Sequence, residues 1–487
     1  MTTPARSPLV LAVLLAASGS AMMHCRCPPQ EGTETRPVTV EQGEQTQLAL
    51  SETTLVIPQV DYEPAVYYRD VDPYPHIDLS RVDNDNVVEK EHAAVVLENE
   101  YIRLTLLPAM GRVYALYYKP TRHDELWRND TVTVGGGLND TGWWIWIGGV
   151  EYTLPGDEHG TTWSTPWTWQ IAEDSPGRKT VRMQVQELGT RLQETIDISV
   201  YPGKGYYEAR IRITNPTDDT VHYAHWVNPQ WTPGGHNELT DSTEFIIPTE
   251  RILIAEKWQK NMGPSPQDWI GNRFRFIKGW EKMGDLMADG LQAGFYSAYS
   301  HDEQEGIVRV FDKQKTPGVD IWTYGYYPTQ IPMGSGAPSK GYVEMWGGTS
   351  VLYPDERRPL APGASIEWTE RMYPYHGTRG LTFADTALAV NFQLDPDEDT
   401  LIVGICPSGV WRGTVELLSA DSSAEHAEPS GPLRSWSVGL RPDAPFLETI
   451  DVARLSDEEI SAFRLRLGSP NTGWLTLAPG RPGQTSD

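Results

Sequence analysis

Cysteine is nearly missing from this 487-residue chain: Cys25, Cys27 and Cys406 are the only three. Three thiols cannot build a disulfide framework, and a "CRC" pair with one remote partner is too sparse for a zinc site. Positive charge is also scarce, with 40 Lys and Arg against 66 Asp and Glu, a formal net charge of −26. That balance repels nucleic acid and anionic membrane surfaces, so neither is expected as a partner. Beyond the amino terminus no stretch approaches the roughly 18 apolar residues of a transmembrane helix. Sustained 3.6-residue periodicity is almost absent, which argues against a helical protein. The sequence holds no P-loop, GxGxxG, GxSxG or HExxH motif, and its 11 histidines are scattered without ligand spacing. No cofactor and no metal are therefore expected. The acidic "DNDN" at 83–86 lacks the Gly and terminal Glu of a calcium loop and reads as a solvated turn.

What is present points to an exported β protein. Hydrophobic residues make up 39%, enough for packed cores. The aromatic set is skewed to 18 Trp and 22 Tyr against 9 Phe, rings with a polar edge that suit half-wet sites where sugar C–H faces stack. Arg6, the apolar "PLVLAVLLAA" and "SGSA" form an export signal over residues 1–22, giving a periplasmic or extracellular location. Lipid anchoring at Cys25 is the lesser alternative, because Met23 and His24 are poor neighbours for it. Residues 23–50, polar and rich in Pro, Gly and Gln, read as a flexible tether.

From 51 onward short alternating runs such as "YIRLTLLP", "TVRMQVQEL", "TIDISVYP", "YEARIRITN", "GIVRVFD" and "SIEWTERMYP" end at turn residues, the strand signature. Only "SDEEISAFRLRL" (456–467) begins like a capped helix, with a turn before a strand as the other reading. The expected fold is all-β. Stacked antiparallel sheets span 51–378, and about seven short strands over 379–487 have the size and spacing of a small immunoglobulin-like sandwich. That last region has few clustered ionisable groups and is assigned no chemistry.

Three stretches could carry chemistry. "GGVEYTLPGDEHG" (148–160) places an acidic turn and His159 among tryptophans. "TNPTDDTVHYAHWVNPQW" (214–231) carries His225, Trp226 and Asn228. "FDKQKTPGVDIWTYG" is followed by "KGYVEMWGGTS", which sets Glu344 in mid-strand. Alternation puts Tyr342, Glu344 and Trp346 on one face and Val343 and Met345 on the other. A carboxylate between two aromatics is either a hydrogen-bonded structural group or a site residue. Trp169, Trp322 and Trp346 are candidates for stacking on a substrate, and each could equally close a core. Arg112 could hold a sugar or serve as an ion-pair partner.

These stretches resemble a known arrangement. "TNPTDDTVHYAHWVN" is similar to the "TNPT…NHSYFN" segment of aldose 1-epimerases (galactose mutarotases). "KTPGVDIWTYG" resembles their T-x-x-P-G-x-x-x-Y-T-G strand, and "GYVEMWGGTS" their hydrophobic-L-E-T-Q strand. "GGVEYTLPGDEHGTTWSTPW" resembles their GG…HG…W stretch. All four stand in the family's order. A nearer resemblance, over about 90–378, is to the bacterial domain of unknown function 5107, on "ENEYIRLTLLPAMG" and "DELWRND".

The resemblance implies a galactose-mutarotase-type β-supersandwich with a sugar cleft. By position, Glu344 would be the general base, His225 the general acid and His159 a second histidine on the substrate, with Arg112, Asn228, Trp169, Trp322 and Trp346 binding it. Opening a pyranose needs a base at the anomeric hydroxyl and an acid at the ring oxygen, each contributing about 10²–10⁴-fold. Ala224 stands where the epimerases have Asn before the histidine. Ile147 and Trp163 replace arginines of the hexose-phosphate branch, so a phosphorylated substrate is not expected. The expected function is carbohydrate-active, acting on a neutral sugar or oligosaccharide. Glycan cleavage would need a second carboxylate near Glu344, for which Glu151, Asp157 and Glu158 are the candidates. The competing expectation is a non-catalytic glycan-binding protein.

Overall fold

The computed structural model describes residues 48–137, 139–156, 158–326, 341–352, 356–395, 398–419, 432–469 and 473–480. The export signal, Cys25, nearly all of the tether, and Asp157 lie outside these. Every alternating run named above forms a strand: Ile102–Leu107, Arg178–Gln186, Gln193–Val200, Tyr207–Thr214, Glu305–Phe311 and Ser365–His376. Tyr207, Ala209, Ile211 and Ile213 of "YEARIRIT" are buried while Arg210 and Arg212 are exposed, as a sheet with one wet face requires.

Among the described residues these strands assemble into a fourteen-stranded and an eight-stranded sheet. The two meet face to face across one apolar core. Ile196, Ile211 and Trp368 come from the smaller sheet, and Val227, Val343 and Met345 from the larger. On the outer face of the smaller sheet, Arg182 pairs with Asp197 and Arg210 with Glu367, cross-strand charge pairs facing solvent. A buried ion pair in this interface joins Arg309 to Glu370, with Tyr296 Oη 3.2 Å from the guanidinium.

The larger sheet curls. Strands Arg128–Gly136 and Trp143–Gly148 come last in its order, far from Val343–Gly348, yet Trp146 Nε1 donates to Tyr342 Oη at 2.5 Å. The "GG" of the opening motif makes the curl possible. Gly148 and Gly149 have φ of 102° and 82°, and a Cβ on either would lie 2.3 and 2.2 Å from the carbonyl oxygens of Trp127 and Val113. Only glycine adopts that backbone and tolerates that approach at low cost. The chain thereby leaves the sheet's end strand and enters Val150–Thr153, which pairs with Trp226–Trp231 in the middle of the sheet.

From Phe383 onward, the described residues form two four-stranded sheets that enclose a separate core around Val390, Val403, Val415 and Leu465. The 456–467 stretch satisfies both readings. Ser456 and Glu459 cap a short helix, Asp457–Ser461, that runs into strand Phe463–Ser469. Tyr118 Oη and His376 Nε2 both hydrogen-bond the Pro442 carbonyl, at 2.7 and 3.0 Å, and tie this part to the large sandwich.

Removing Arg309 leaves Glu370 as an uncompensated buried charge. Arg309→Met is expected to lower stability by about 3–5 kcal/mol in urea denaturation; a loss under about 1 kcal/mol contradicts this account of the interface.

Candidate active site

Three neighbouring strands form the floor of a cavity: Gly284–Ala288, Gly318–Thr323 and Val343–Gly348. Their alternation is strict. Leu286, Val319, Ile321, Val343 and Met345 enter the intersheet core, so Asp285, Asp320, Trp322, Glu344 and Trp346 face the other way and line the cavity. Across from them stand Trp144 and Trp146, brought over by the curl, with Gly135, Gly136, Tyr324, Lys257 and Trp258 at the sides. The cavity volume is about 400 Å³, within the range of small-molecule sites.

His159 enters from a loop that closes on itself. Thr161 N and Thr162 N both donate to the Leu154 carbonyl, at 2.9 and 3.3 Å, and Asn139 Nδ2 holds the Gly160 carbonyl at 3.0 Å. The imidazole stacks on Trp144, centroids 4.7 Å apart at 27°, and is 9% exposed. Its Nδ1 lies 2.9 Å from Glu151 Oε2. Because Nδ1 faces a carboxylate, Nε2 is the nitrogen left for a ligand.

The charges alternate inward from the cavity. Behind His159, Glu151 meets Arg112 Nη2 at 3.4 Å, and Arg112 Nη1 donates to the Gly148 carbonyl at 2.8 Å. Burial raises the Glu151 pKa, but Arg112 and His159 outweigh it and hold the carboxyl below its usual range. Burial also opposes charge on His159; Glu151 first, then Glu344 and Glu158, overcome it and lift the imidazole above the ordinary histidine value. Glu344 is 5% exposed and accepts from Trp346 Nε1 at 2.8 Å and Gln230 Nε2 at 3.3 Å. Desolvation pushes it up, restrained by the positive His159 and the Trp346 hydrogen bond. The cavity therefore sets a histidine and a carboxyl side by side, both with values raised above their ordinary ones.

A second acidic group shares the floor. Asp285 and Asp320 stand on adjacent strands, close enough for each to influence the ionisation of the other, and Trp258 Nε1 donates to Asp285 Oδ2 at 3.2 Å. Two buried carboxyls that interact this way titrate as a pair, and charging both at once is disfavoured. Burial first, then the charge of Asp285, raises the Asp320 carboxyl well above its ordinary value, and burial raises Asp285 as well.

The structure thus brings His159, Glu344, Trp322 and Trp346 together, and Glu158 with them at the wall. Arg112 stands behind Glu151 and does not line the cavity. Asn228, paired in register with Glu151, is fully buried with neither side-chain amide atom hydrogen-bonded, and it too is outside the lining. Trp169 lies on Thr168–Ser175, the edge strand of the eight-stranded sheet, packed on the core.

His225, expected as the general acid at Glu344, is elsewhere. Its Nε2 meets Glu194 Oε1 of the smaller sheet at 2.8 Å, its ring stands edge-on to Trp368, and it is fully buried. It sits one residue ahead of strand Trp226–Trp231, whose outward-facing Gln230 reaches Glu344, while its own ring reaches across the intersheet core. Asp285, Asp320, Lys257, Trp258, Trp144 and Trp146 were not singled out from the sequence. For Asp320 the signal was there, since "VDIWT" puts it on the face of Trp322.

Among the described residues no group of His, Cys, Asp and Glu is placed to hold a metal ion, and no helix is long and apolar enough to cross a membrane.

Fold and site define an all-β sandwich protein with a tryptophan-walled cavity that holds His159 and three carboxyls on its floor. Residues 69–353, more than half of the chain, match the family described as Domain of unknown function (DUF5107), and the protein belongs to that family. A TPR-domain containing protein from Parabacteroides distasonis is 20% identical with a TM-score of 0.57, over 68% of this chain. The match spans 56% of the Parabacteroides protein, so the chain corresponds to just over half of it. The Slr1438 protein from Synechocystis is 14% identical (TM-score 0.44; 59% of this chain, 97% of that one). A galactose mutarotase-like protein from Lactobacillus casei is 12% identical (TM-score 0.40; 58% and 100%).

Glu151 is held below its ordinary value, so its contribution to stability is present above about pH 4.3 and is lost as the pH falls through the depressed value. Arg112→Met is expected to cost about 3–5 kcal/mol near neutral pH, a gap that narrows as the solution is acidified. Urea denaturation at several pH values tests this; a gap independent of pH contradicts the charge series.

Proposed function

We propose that the cavity binds a neutral sugar and performs acid–base chemistry on it, with Glu344 as base and His159 as acid. The observation that carries this is the meeting of the two groups in one tryptophan-walled cavity. In ring opening, Glu344 takes the proton of the anomeric hydroxyl while His159 Nε2 gives one to the ring oxygen. The charge of each group favours the ionised state of the other. Glu151 and Arg112 fix the imidazole and its charge from behind, and Trp322, Trp346, Trp144 and Trp146 offer ring faces to the sugar C–H surface. The sparse positive charge, with Lys257 the one lysine or arginine in the lining among the described residues, favours a neutral over an anionic substrate. We also place the protein outside the cytoplasm, on the export pattern of residues 1–22.

The test is a panel of neutral aldoses and oligosaccharides followed by NMR. Glu344→Gln is expected to lower turnover about 10²–10⁴-fold while sugar affinity stays within about tenfold. His225→Gln is expected to keep kcat per folded molecule and to lose stability, because it leaves Glu194 buried without its partner. Full turnover in Glu344→Gln contradicts the role of Glu344. Sugar binding by the wild type without any turnover makes the cavity a glycan-binding site.

A further inference from the structure

Mutarotation needs one acid and one base, and His159 with Glu344 supply both. The Asp285–Asp320 pair is left over. It is not a solvated acidic patch: the two residues are 8% and 2% exposed, both line the cavity, and Oδ1 of each is buried without a hydrogen-bond partner.

The register shows how the three carboxyls are set. Asp320 lies opposite Trp346 and Trp322 opposite Glu344, while Trp322 also lies opposite Asp285 on its other side. Asp285, Trp322 and Glu344 therefore form a straight row across three adjacent antiparallel strands, and Asp320, two residues from Trp322 on the middle strand, lies diagonal to both carboxyls. One diagonal step is about 7–8 Å between backbone positions, less between side chains. Glycosidases place their two carboxyls about 5–9.5 Å apart, on either side of the scissile bond.

We propose that the substrate is a glycoside, cleaved between Asp320 and Glu344, with Asp320 as the general acid and Asp285 as the positioning residue that keeps the acid protonated. This rests on the sugar-binding, acid–base reading above and names the bond that is broken. The Asp320 proton passes to the glycosidic oxygen as the bond from that oxygen to the anomeric carbon breaks and its electron pair leaves with the alcohol. Water adds its oxygen to the anomeric carbon and gives a proton to Glu344. One glycoside and one water become one sugar and one alcohol. The proton gained by Glu344 and the one lost by Asp320 then re-equilibrate through solvent. The groups facing the pair are Glu344 and Trp346 on one neighbouring strand, with Lys257 and Trp258 from the short helix Glu256–Met262.

The test uses the full chain with a panel of neutral 4-nitrophenyl glycosides and their 2,4-dinitrophenyl counterparts. The second leaving group departs without a proton. The wild type is expected to release nitrophenol from at least one 4-nitrophenyl glycoside. Asp320→Asn should lower kcat about 10²–10⁴-fold on that substrate and less than about tenfold on its dinitrophenyl partner. A purely structural role would affect both alike, so equal losses, or none, overturn the assignment. Asp285→Asn removes the negative charge beside Asp320 and should move the alkaline limb of the pH profile to lower pH; an unmoved limb removes Asp285 from the account. A wild type that equilibrates the anomers of a free sugar but cleaves no glycoside overturns this inference and leaves the acid–base reading standing. One that does neither ends both.

Discussion

Charge buried without water has to be neutralised by other buried charge, and the cavity is arranged around that constraint. Taken alone, a carboxylate such as Glu344 in contact with tryptophan would be driven to its protonated form. The series Glu344, His159, Glu151 and Arg112 alternates in sign from the cavity to the interior, so each ion sits against its opposite. The inner members are the more strongly fixed, since Arg112 is also anchored on the Gly148 carbonyl. The outer members carry the raised values useful for proton transfer near neutral pH. Asp285 and Asp320 meet the same constraint in the other available way, since burial raises both carboxyls and favours their neutral form.

The backbone that carries these groups is itself a product of close approach. The charge series requires the strand ending at Gly148 to lie against the middle of its own sheet, and the two glycines there make room for the carbonyls of Trp127 and Val113. The same turn delivers Trp144 and Trp146 to the wall opposite Trp322 and Trp346. Chemistry and curvature are thus one arrangement: a side chain at position 148 or 149 would disturb the wall and the Arg112 anchor together.

Much of this was legible in the sequence, where the signal was local. Period-two alternation identified the strands and assigned Glu344 and Trp346 to one face and Val343 and Met345 to the other, as the core confirms. His159 stood out as an ionisable group in an aromatic stretch. What was not legible depends on partners far along the chain. His225 looked like an acid because its surroundings resemble a catalytic segment, but its face is set by Glu194 and Trp368 on the other sheet. Arg112 and Asn228 had plausible chemistry and lie behind the cavity lining. Asp285 sits in an ordinary buried strand, and only the alignment of three strands places it beside Asp320.

The claim that everything else rests on is that His159 works as an imidazolium beside an ionised Glu344. The pH dependence of kcat/KM for interconverting the anomers of a free sugar tests it most directly. The account predicts a bell with its acidic limb above the ordinary glutamate value of about 4.3 and its alkaline limb above the ordinary histidine value of about 6.5. In Glu151→Gln the alkaline limb should fall, since the main source of the raised His159 value is gone. A flat profile, or an alkaline limb that stays in place when Glu151 loses its charge, would contradict it.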